Sequence, residues 1–210
     1  MIHNKVYHSR TLHTPKGTLI IEGPVPTQEL ETYEFHKNLV AFRPPDQQQE
    51  AIIEISKLPE ARLIIARFEQ TIIGYTTYLY PDPLERWSEG NIENLIELGA
   101  IEVIPEFRGC SVGKTMLQIS MLDDNMEDYI IITTEYYWHW DLQGSGLNVW
   151  EYRKIMEKMM SAGDLIWMAT DDPEICSHPA NCLMVRIGKR VNQDSITAFD
   201  RIRFQNRFMY

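Results

Sequence analysis

Cysteine is scarce in this sequence: Cys110, Cys176 and Cys182 are the only three in a chain of 210 residues. The number is odd and the spacing fits no zinc pattern, so neither a disulfide framework nor a zinc site is expected. They read as free thiols of a reducing cytoplasm. Long apolar runs are missing too. None approaches the roughly 20 residues that cross a bilayer, so no membrane partner is expected. The opening stretch MIHNKVYHSRTLHTPKG is polar and lacks the apolar core of an export signal, which again points to a cytoplasmic protein. Positive charge is in short supply, with 20 Lys and Arg against 30 Asp and Glu and a net charge of -10. Binding a nucleic-acid backbone needs a basic face, so no nucleic-acid partner is expected. An anionic cofactor would have to meet a local positive field, from Arg108, Lys114 and a helix N-terminus. The acidic runs DDNMED and TDDPE read as a helix end and a loop, with no metal expected.

What is present is enough apolar material, 44% of residues, to bury one core. A single domain over 1–210 is expected, with its core at about 17–190 and a short C-terminal extension. Gly17 to Val25 predicts a short strand closed by prolines. Thr27 to Leu39 predicts a helix with Thr27 as its N-cap, broken at RPPDQQ and resumed in QQEAIIEISKL. The runs on either side of FEQ, from Ala61 to Pro83, predict an antiparallel hairpin, and LERWSEGNIE a loop. Asn91 to Pro105 reads as a strand that Pro105 stops. In KTMLQISMLDDNM, Met116, Leu117, Met121 and Leu122 fall at helical spacing. DYIIITTEYYWHWDL is a strand ending in an aromatic patch, GSG a turn, NVWEYRKIMEKMMSAG a helix and DLIWMATDDPE a strand. NCLMVRIGK predicts a short helix ending near Gly188, and the tail from Val191 to Tyr210 adds one strand or helix. Alternating strands and helices give an α/β class.

The stretch RGCSVGKT, from Arg108 to Thr115, has the small residues and the lysine of a phosphate-holding loop. A nucleoside-triphosphate loop, G-x-x-x-x-G-K-S/T, fits at Gly113, Lys114 and Thr115. Its first glycine should fall at 108, where Arg108 stands, and Gly109 comes one residue late. A coenzyme A pyrophosphate asks instead for a strand, a turn of small residues, a basic group and a helix N-terminus. VIPEFRGCSVGKTML supplies these in order.

That segment resembles the central motif of the GCN5-related N-acetyltransferases (GNAT), R/Q-x-x-G-x-G/A. Arg108 takes the first position and Gly113 the last, with Ser111 in place of the middle glycine. The hairpin with Ile73, Gly74 and Tyr75 is similar to the family's second and third strands, and IEVIPEFRG to its fourth. SHPANCLMVRIGK resembles a late family helix through Ala180, Leu183 and Gly188, while Ser177, Met184 and Lys189 replace its asparagine, tyrosine and phenylalanine. YEFHKNLVAFRPP, YLYPDPLERWSEGN, TTEYYWHWDL and WEYRKIMEKMM extend the likeness along nearly the whole chain, to the acetoin-utilisation acetyltransferases within that family.

The resemblance implies a GNAT fold, a mixed central sheet flanked by helices, with acetyl-CoA in a cleft at the fourth strand. It implies Ile101 and Val103 along the pantetheine arm, with a backbone amide near Val103 on the thioester oxygen. It places Arg108, Gly109, Cys110, Ser111, Val112, Gly113 and Lys114 on the pyrophosphate. It implies direct acetyl transfer to a protein lysine, with AMP-forming acetyl-CoA synthetase as the partner. The strands beginning near Tyr129 and Leu165 both suit the family's fifth strand.

A lysine amine is almost wholly protonated at pH 7, so a base is wanted. Glu97 leads, since the family often puts its glutamate in the fourth strand. Glu102 has the opposite parity from Ile101 and Val103, and Glu135 ends a strand beside the aromatic patch. Water without a dedicated base is the remaining option. Tyr136, Tyr137, Trp138, His139 and Trp140 form a candidate surface for docking the protein substrate. An acetyl-CoA-sensing subunit with little turnover stays open as an alternative, given Ser111 and Met184.

Overall fold

The computed structural model describes residues 1–205 and divides them into two compact units. The first comprises Met1–Tyr80 and Leu98–Met126. The second comprises Pro81–Glu97 and the chain from Glu127 onward.

In the first unit, β1 (His8–Thr14) and β2 (Gly17–Gly23) form a hairpin, and α1 (Thr27–Leu30), β3 (Glu34–Phe35) and α2 (Pro45–Ser56) follow. Next come β4 (Arg62–Phe68), β5 (Thr71–Leu79), β6 (Leu95–Val103) and α3 (Val112–Ser120). The strands run in the order β1-β2-β4-β5-β6, with the pairs β1–β2, β2–β4 and β4–β5 antiparallel and β3 parallel beside β5. The β4–β5 hairpin was legible: two β-branched runs meet at Glu69 and Gln70, where Glu69 turns the chain with a φ of 54°. Gly74 lets β5 approach β6, since a Cβ there would sit 2.9 Å from the Glu102 carbonyl oxygen. Helix α3 packs on β1, β2, β4 and β5 through Met116, Leu117 and Ile119, all buried.

Three expectations need correction here. The helix over Thr27–Leu39 stops at Leu30, because the chain leaves it to pair Glu34 and Phe35 with Thr71 and Ile72. Thr27 is not its cap; Pro26 holds that position, and the Thr27 hydroxyl meets the Ser56 hydroxyl at 2.7 Å. Helix α3 ends at Ser120, so Met121 and Leu122 lie beyond it and Leu122 is exposed. The polar opening stretch also holds a strand, β1. It shows no apolar alternation because it pairs at the sheet edge. Ahead of it, the Val6 amide donates to Asp123 at 3.1 Å, and Asp123 lies 3.6 Å from the buried Arg62 guanidinium.

In the second unit, the start of β6 pairs in parallel with β7 (Ile130–Glu135), Glu97 opposite Ile132. Then follow α4 (Leu142–Ser145), α5 (Val149–Met160), β8 (Ile166–Met168), α6 (Pro173–Cys176), β9 (Cys182–Ile187) and α7 (Gln193–Arg203). Strand β9 lies antiparallel between β7 and β8. The helix expected at NCLMVRIGK is therefore a strand. Five of its six residues are buried, and the apolar run Cys182–Val185, with no polar alternation, suits a strand covered on both sides. Its Met184 pairs with Thr133 and Trp167, so it does not occupy the position of a helix tyrosine. The place beside β6 belongs to β7, which settles the choice between the strands near Tyr129 and Leu165.

Leu95, Ile130, Ile132, Leu183 and Val185 pack with Trp87, Phe199 and Ile202 in this unit's core. Asn148 and Glu151 make a reciprocal capping box that starts α5. Asn192 caps α7, the helix found in the tail; residues 206–210 of that tail lie outside the described residues. No helix among the described residues is long and apolar enough to cross a membrane.

Candidate active site

In the first unit the phosphate-type loop grows from the end of β6. Ile104 donates to the Ile73 carbonyl at 3.0 Å, Pro105–Phe107 make one tight turn, and Cys110 closes it onto the Phe107 carbonyl at 3.2 Å. Gly109 has a φ of 78° with open space where a Cβ would be, and Ser111 has a φ of 62°. The position the family motif gives to glycine is thus left-handed here, and a serine holds it. Both the amide and the hydroxyl of Thr115 donate to the Ser111 carbonyl at 2.9 Å. This fixes the entry to α3, whose first turn leaves the amides of Val112, Gly113 and Lys114 without intrahelical acceptors.

Positive charge gathers there despite the acidic chain. Arg108 and Lys114 are exposed, Arg108 Nε reaches the Val103 carbonyl at 3.4 Å, and Lys16 donates to the Glu106 carbonyl. Open space at Gly109, free-facing amides and two cations fit a pyrophosphate. Ile101 and Val103 are partly exposed, whereas Glu102 between them is 6% exposed. Its two carboxylate oxygens accept from the Ala41 amide and the Tyr75 hydroxyl, both at 2.8 Å. Burial and the Glu102 charge hold the Tyr75 phenol well above its ordinary range.

The other carboxylates belong to the second unit. Glu97 is partly buried, and its Oε1 accepts from the Thr134 hydroxyl at 3.5 Å. Burial, then the charge of Glu85, with Asp82 adding to it, pushes Glu97 up to about 8; the Thr134 hydrogen bond opposes this. Glu85 is itself raised, by burial and by Asp82, Glu174 and Asp172. Glu135 points to the other face of β7 from Thr134. It is buried, accepts from Trp140 Nε1 at 3.0 Å, and is pushed up to about 7 by burial against the pull of that bond. Trp140 stacks on Tyr152 of α5 at 5.3 Å, so this carboxylate fastens a tryptophan to a helix.

The aromatic patch divides accordingly. Trp140 is buried, Tyr136 and Tyr137 are partly buried, and Trp138 and His139 are exposed. Tyr136 stacks on Trp138 with ring centres 4.7 Å apart, and Tyr137 lies 4.2 Å from His178, which in turn stacks on Trp150. Sequence reasoning missed Trp150, Glu85 and Thr134. Only Thr134 carried a signal: it shares the parity of Ile132, the residue that pairs with Glu97.

The model of the Acetyltransferase (GNAT) family matches residues 29–121. The acetoin utilization protein AcuA of Bacillus licheniformis is 70% identical over 210 residues, the full length of both chains, and that of Bacillus subtilis is 67% identical over the same span. The chain belongs to the GNAT acetyltransferases, in the AcuA branch. It is an N-acetyltransferase with the GNAT fold. A crystal structure of an acetoin utilization protein from Exiguobacterium sibiricum agrees with a TM-score of 0.96 at 59% identity, over 99% of this chain and 98% of that one. The GNAT domain of S. lividans PAT shares the fold alone, with a TM-score of 0.52 at 10% identity over 85% and 96% of the two chains.

Proposed function

We propose that this GNAT enzyme transfers the acetyl group of acetyl-CoA to a lysine of a cytoplasmic protein, with Glu97 as general base. The observation that carries the reading is Glu97 itself: a partly buried carboxylate on the central strand β6, pushed up to about 8. A base works best when its pKa lies near the working pH, and burial among other carboxylates is what tunes a glutamate to that range. The cationic acceptor lysine suits the acidic surroundings of Asp82 and Glu85. With one proton on Glu97, the amine nitrogen attacks the thioester carbon, the C–S bond breaks, and the proton the new amide nitrogen sheds goes to the departing sulfur, so CoA leaves as the thiol. The Val103 region of β6 supplies the backbone for the thioester oxygen. The amides of Val112, Gly113 and Lys114, with Arg108, hold the pyrophosphate; Gly109, Cys110 and Ser111 shape the loop.

Glu102 and Glu135 are assigned a structural part instead. Each already serves protein donors, Glu102 the Ala41 amide and the Tyr75 hydroxyl, and Glu135 the Trp140 indole. The protein substrate meets Trp138, His139 and the neighbouring Tyr136 and Tyr137, and AMP-forming acetyl-CoA synthetase is the acceptor we assign. The name of the relatives, acetoin utilization protein, favours an acceptor that takes part in acetoin utilization. The test is kcat/KM for the acceptor against pH. It should rise through a pKa of about 8 and level off, and Glu97→Gln should lower it about 100- to 1000-fold and flatten the rise. An unchanged profile in Glu97→Gln would remove Glu97 from the reaction.

A further inference from the structure

We propose that Thr134, Tyr136 and Glu174 form a hydrogen-bonded path that carries the proton taken up by Glu97 out to the protein surface. The proposal rests on the reading of Glu97 as the base. Three residues of different elements line up in the second unit. Thr134 and Tyr136 are two residues apart at the end of β7, so their side chains share a face, and it is the face Ile132 presents beside Glu97. The Thr134 hydroxyl lies 3.5 Å from Glu97 Oε1, and as a hydrogen-bonding neighbour it pulls the Tyr136 phenol down against the burial that raises it. The Tyr136 hydroxyl in turn lies 3.5 Å from Glu174 Oε2, on an exposed residue of α6. The 3.5 Å separations are long, as is common before substrate tightens a site.

The far end of the path is held in register. Asp172 accepts from the amides of Glu174 and Ile175 at 3.0 Å and so starts α6. Asn181 ties the two segments together. Its Oδ1 accepts from the Tyr137 amide at 3.1 Å, and its Nδ2 donates to the Glu174 carbonyl at 3.2 Å. Asn181 Nδ2 also reaches the Ser177 hydroxyl at 3.4 Å, so one asparagine joins the end of β7 to both ends of α6.

Each turnover leaves one proton on Glu97. The path moves it without net change in its hydroxyls. Glu97 gives its proton to Thr134 Oγ1, Thr134 passes its own to Tyr136 Oη, Tyr136 passes its own to the Glu174 carboxylate, and Glu174 loses it to water. Burial and the nearby carboxylates hold the Tyr136 phenol above its ordinary range, so it stays a neutral donor between transfers. Such a path matters on the scale of the rate. At a recombination rate of about 10¹⁰ M⁻¹ s⁻¹, an acid of pKa about 8 releases a proton to water only about 100 times per second. That is within the ordinary range of kcat. The charged groups around the path are Asp82 and Glu85 beside Glu97, Asp172 and Glu174 at Tyr136, His139 against the Tyr136 ring, and Arg86, which pairs with Asp171 and Asp172.

The experiment is steady-state kinetics of thiol release with acetyl-CoA and the protein acceptor, in weak and in imidazole-rich buffer. Thr134→Val keeps the strand and the side-chain shape, and Tyr136→Phe keeps the ring. Each should lower kcat about tenfold with KM for the acceptor unchanged, and the double variant should be no slower than the slower single one. Imidazole should restore most of the rate to both, and Thr134→Ser should restore it without imidazole. An unchanged kcat in Thr134→Val and Tyr136→Phe, a loss that imidazole leaves untouched, or a rise in KM alone would overturn the path. Glu97→Gln in the same series separates the two readings. If it is slow while the path variants are normal, the path fails and the base stands; if it runs at the full rate, the base reading has failed and the path falls with it.

Discussion

Glu97→Gln should make the protein more stable as well as inactive, and only above mildly acidic pH. In the folded chain Glu97 is pushed from 4.5 to about 8. Between those values the folded state holds a proton that the unfolded state has released, so stability falls as pH rises through this window and levels off above about 8. Below about 4.5 the carboxyl is neutral in both states and costs nothing by this route. At about 1.4 kcal/mol per pH unit, the ceiling on the cost is about 5 kcal/mol. Glu97 is only partly buried and water screens part of the effect, so about 2 to 3 kcal/mol is expected at pH 9. Glutamine has the same shape and no charge, and can still accept from Thr134. Thermal or urea unfolding of both proteins at pH 5, 7 and 9 reads the difference. It should be near zero at pH 5 and reach about 5 to 10 °C in Tm at pH 9 in favour of the variant. Comparing the two proteins cancels every other titrating group to first order. A difference that is the same at pH 5 and pH 9 would refute the reasoning, because it could not come from the charge on Glu97.

Ser111→Gly should stabilise the fold by about 0.5 to 1 kcal/mol, since a left-handed backbone suits glycine and strains serine. Urea unfolding checks it; a loss of stability would mean that the serine side chain contributes more than its backbone costs. Trp138→Ala removes the exposed partner of the Tyr136 stack and should raise KM for the protein acceptor about tenfold at unchanged KM for acetyl-CoA. Equal acceptor KM in both proteins would take the aromatic patch out of docking.

Elements made by local pairing were legible from the sequence. The β4–β5 hairpin showed as two β-branched runs around a polar turn, and α5 as an amphipathic run between Asn148 and Gly163. The loop before α3 was legible because its glycine, serine and basic positions answer a chemical need that few other loops share. Errors arose where long-range pairing decides. Cys182–Ile187 has the residues of a helix motif, but two strands claim its edges and its faces are covered. Glu34 and Phe35 leave a good helical pattern to meet β5. Of the three glutamates, sequence parity already set Glu102 apart from Ile101 and Val103. It gave no sign of the donors that occupy Glu102 and Glu135, because Ala41, Tyr75 and Trp140 reach them only through the fold.

The measurement that bears most directly on this account is intact-mass analysis of AMP-forming acetyl-CoA synthetase after incubation with this enzyme and acetyl-CoA, with thiol release followed in parallel. The account requires a mass gain of one acetyl group on a lysine, matched mole for mole by CoA, and no gain with Glu97→Gln. Tight acetyl-CoA binding with neither thiol release nor mass gain would contradict it and leave a protein that senses acetyl-CoA without transferring the acetyl group.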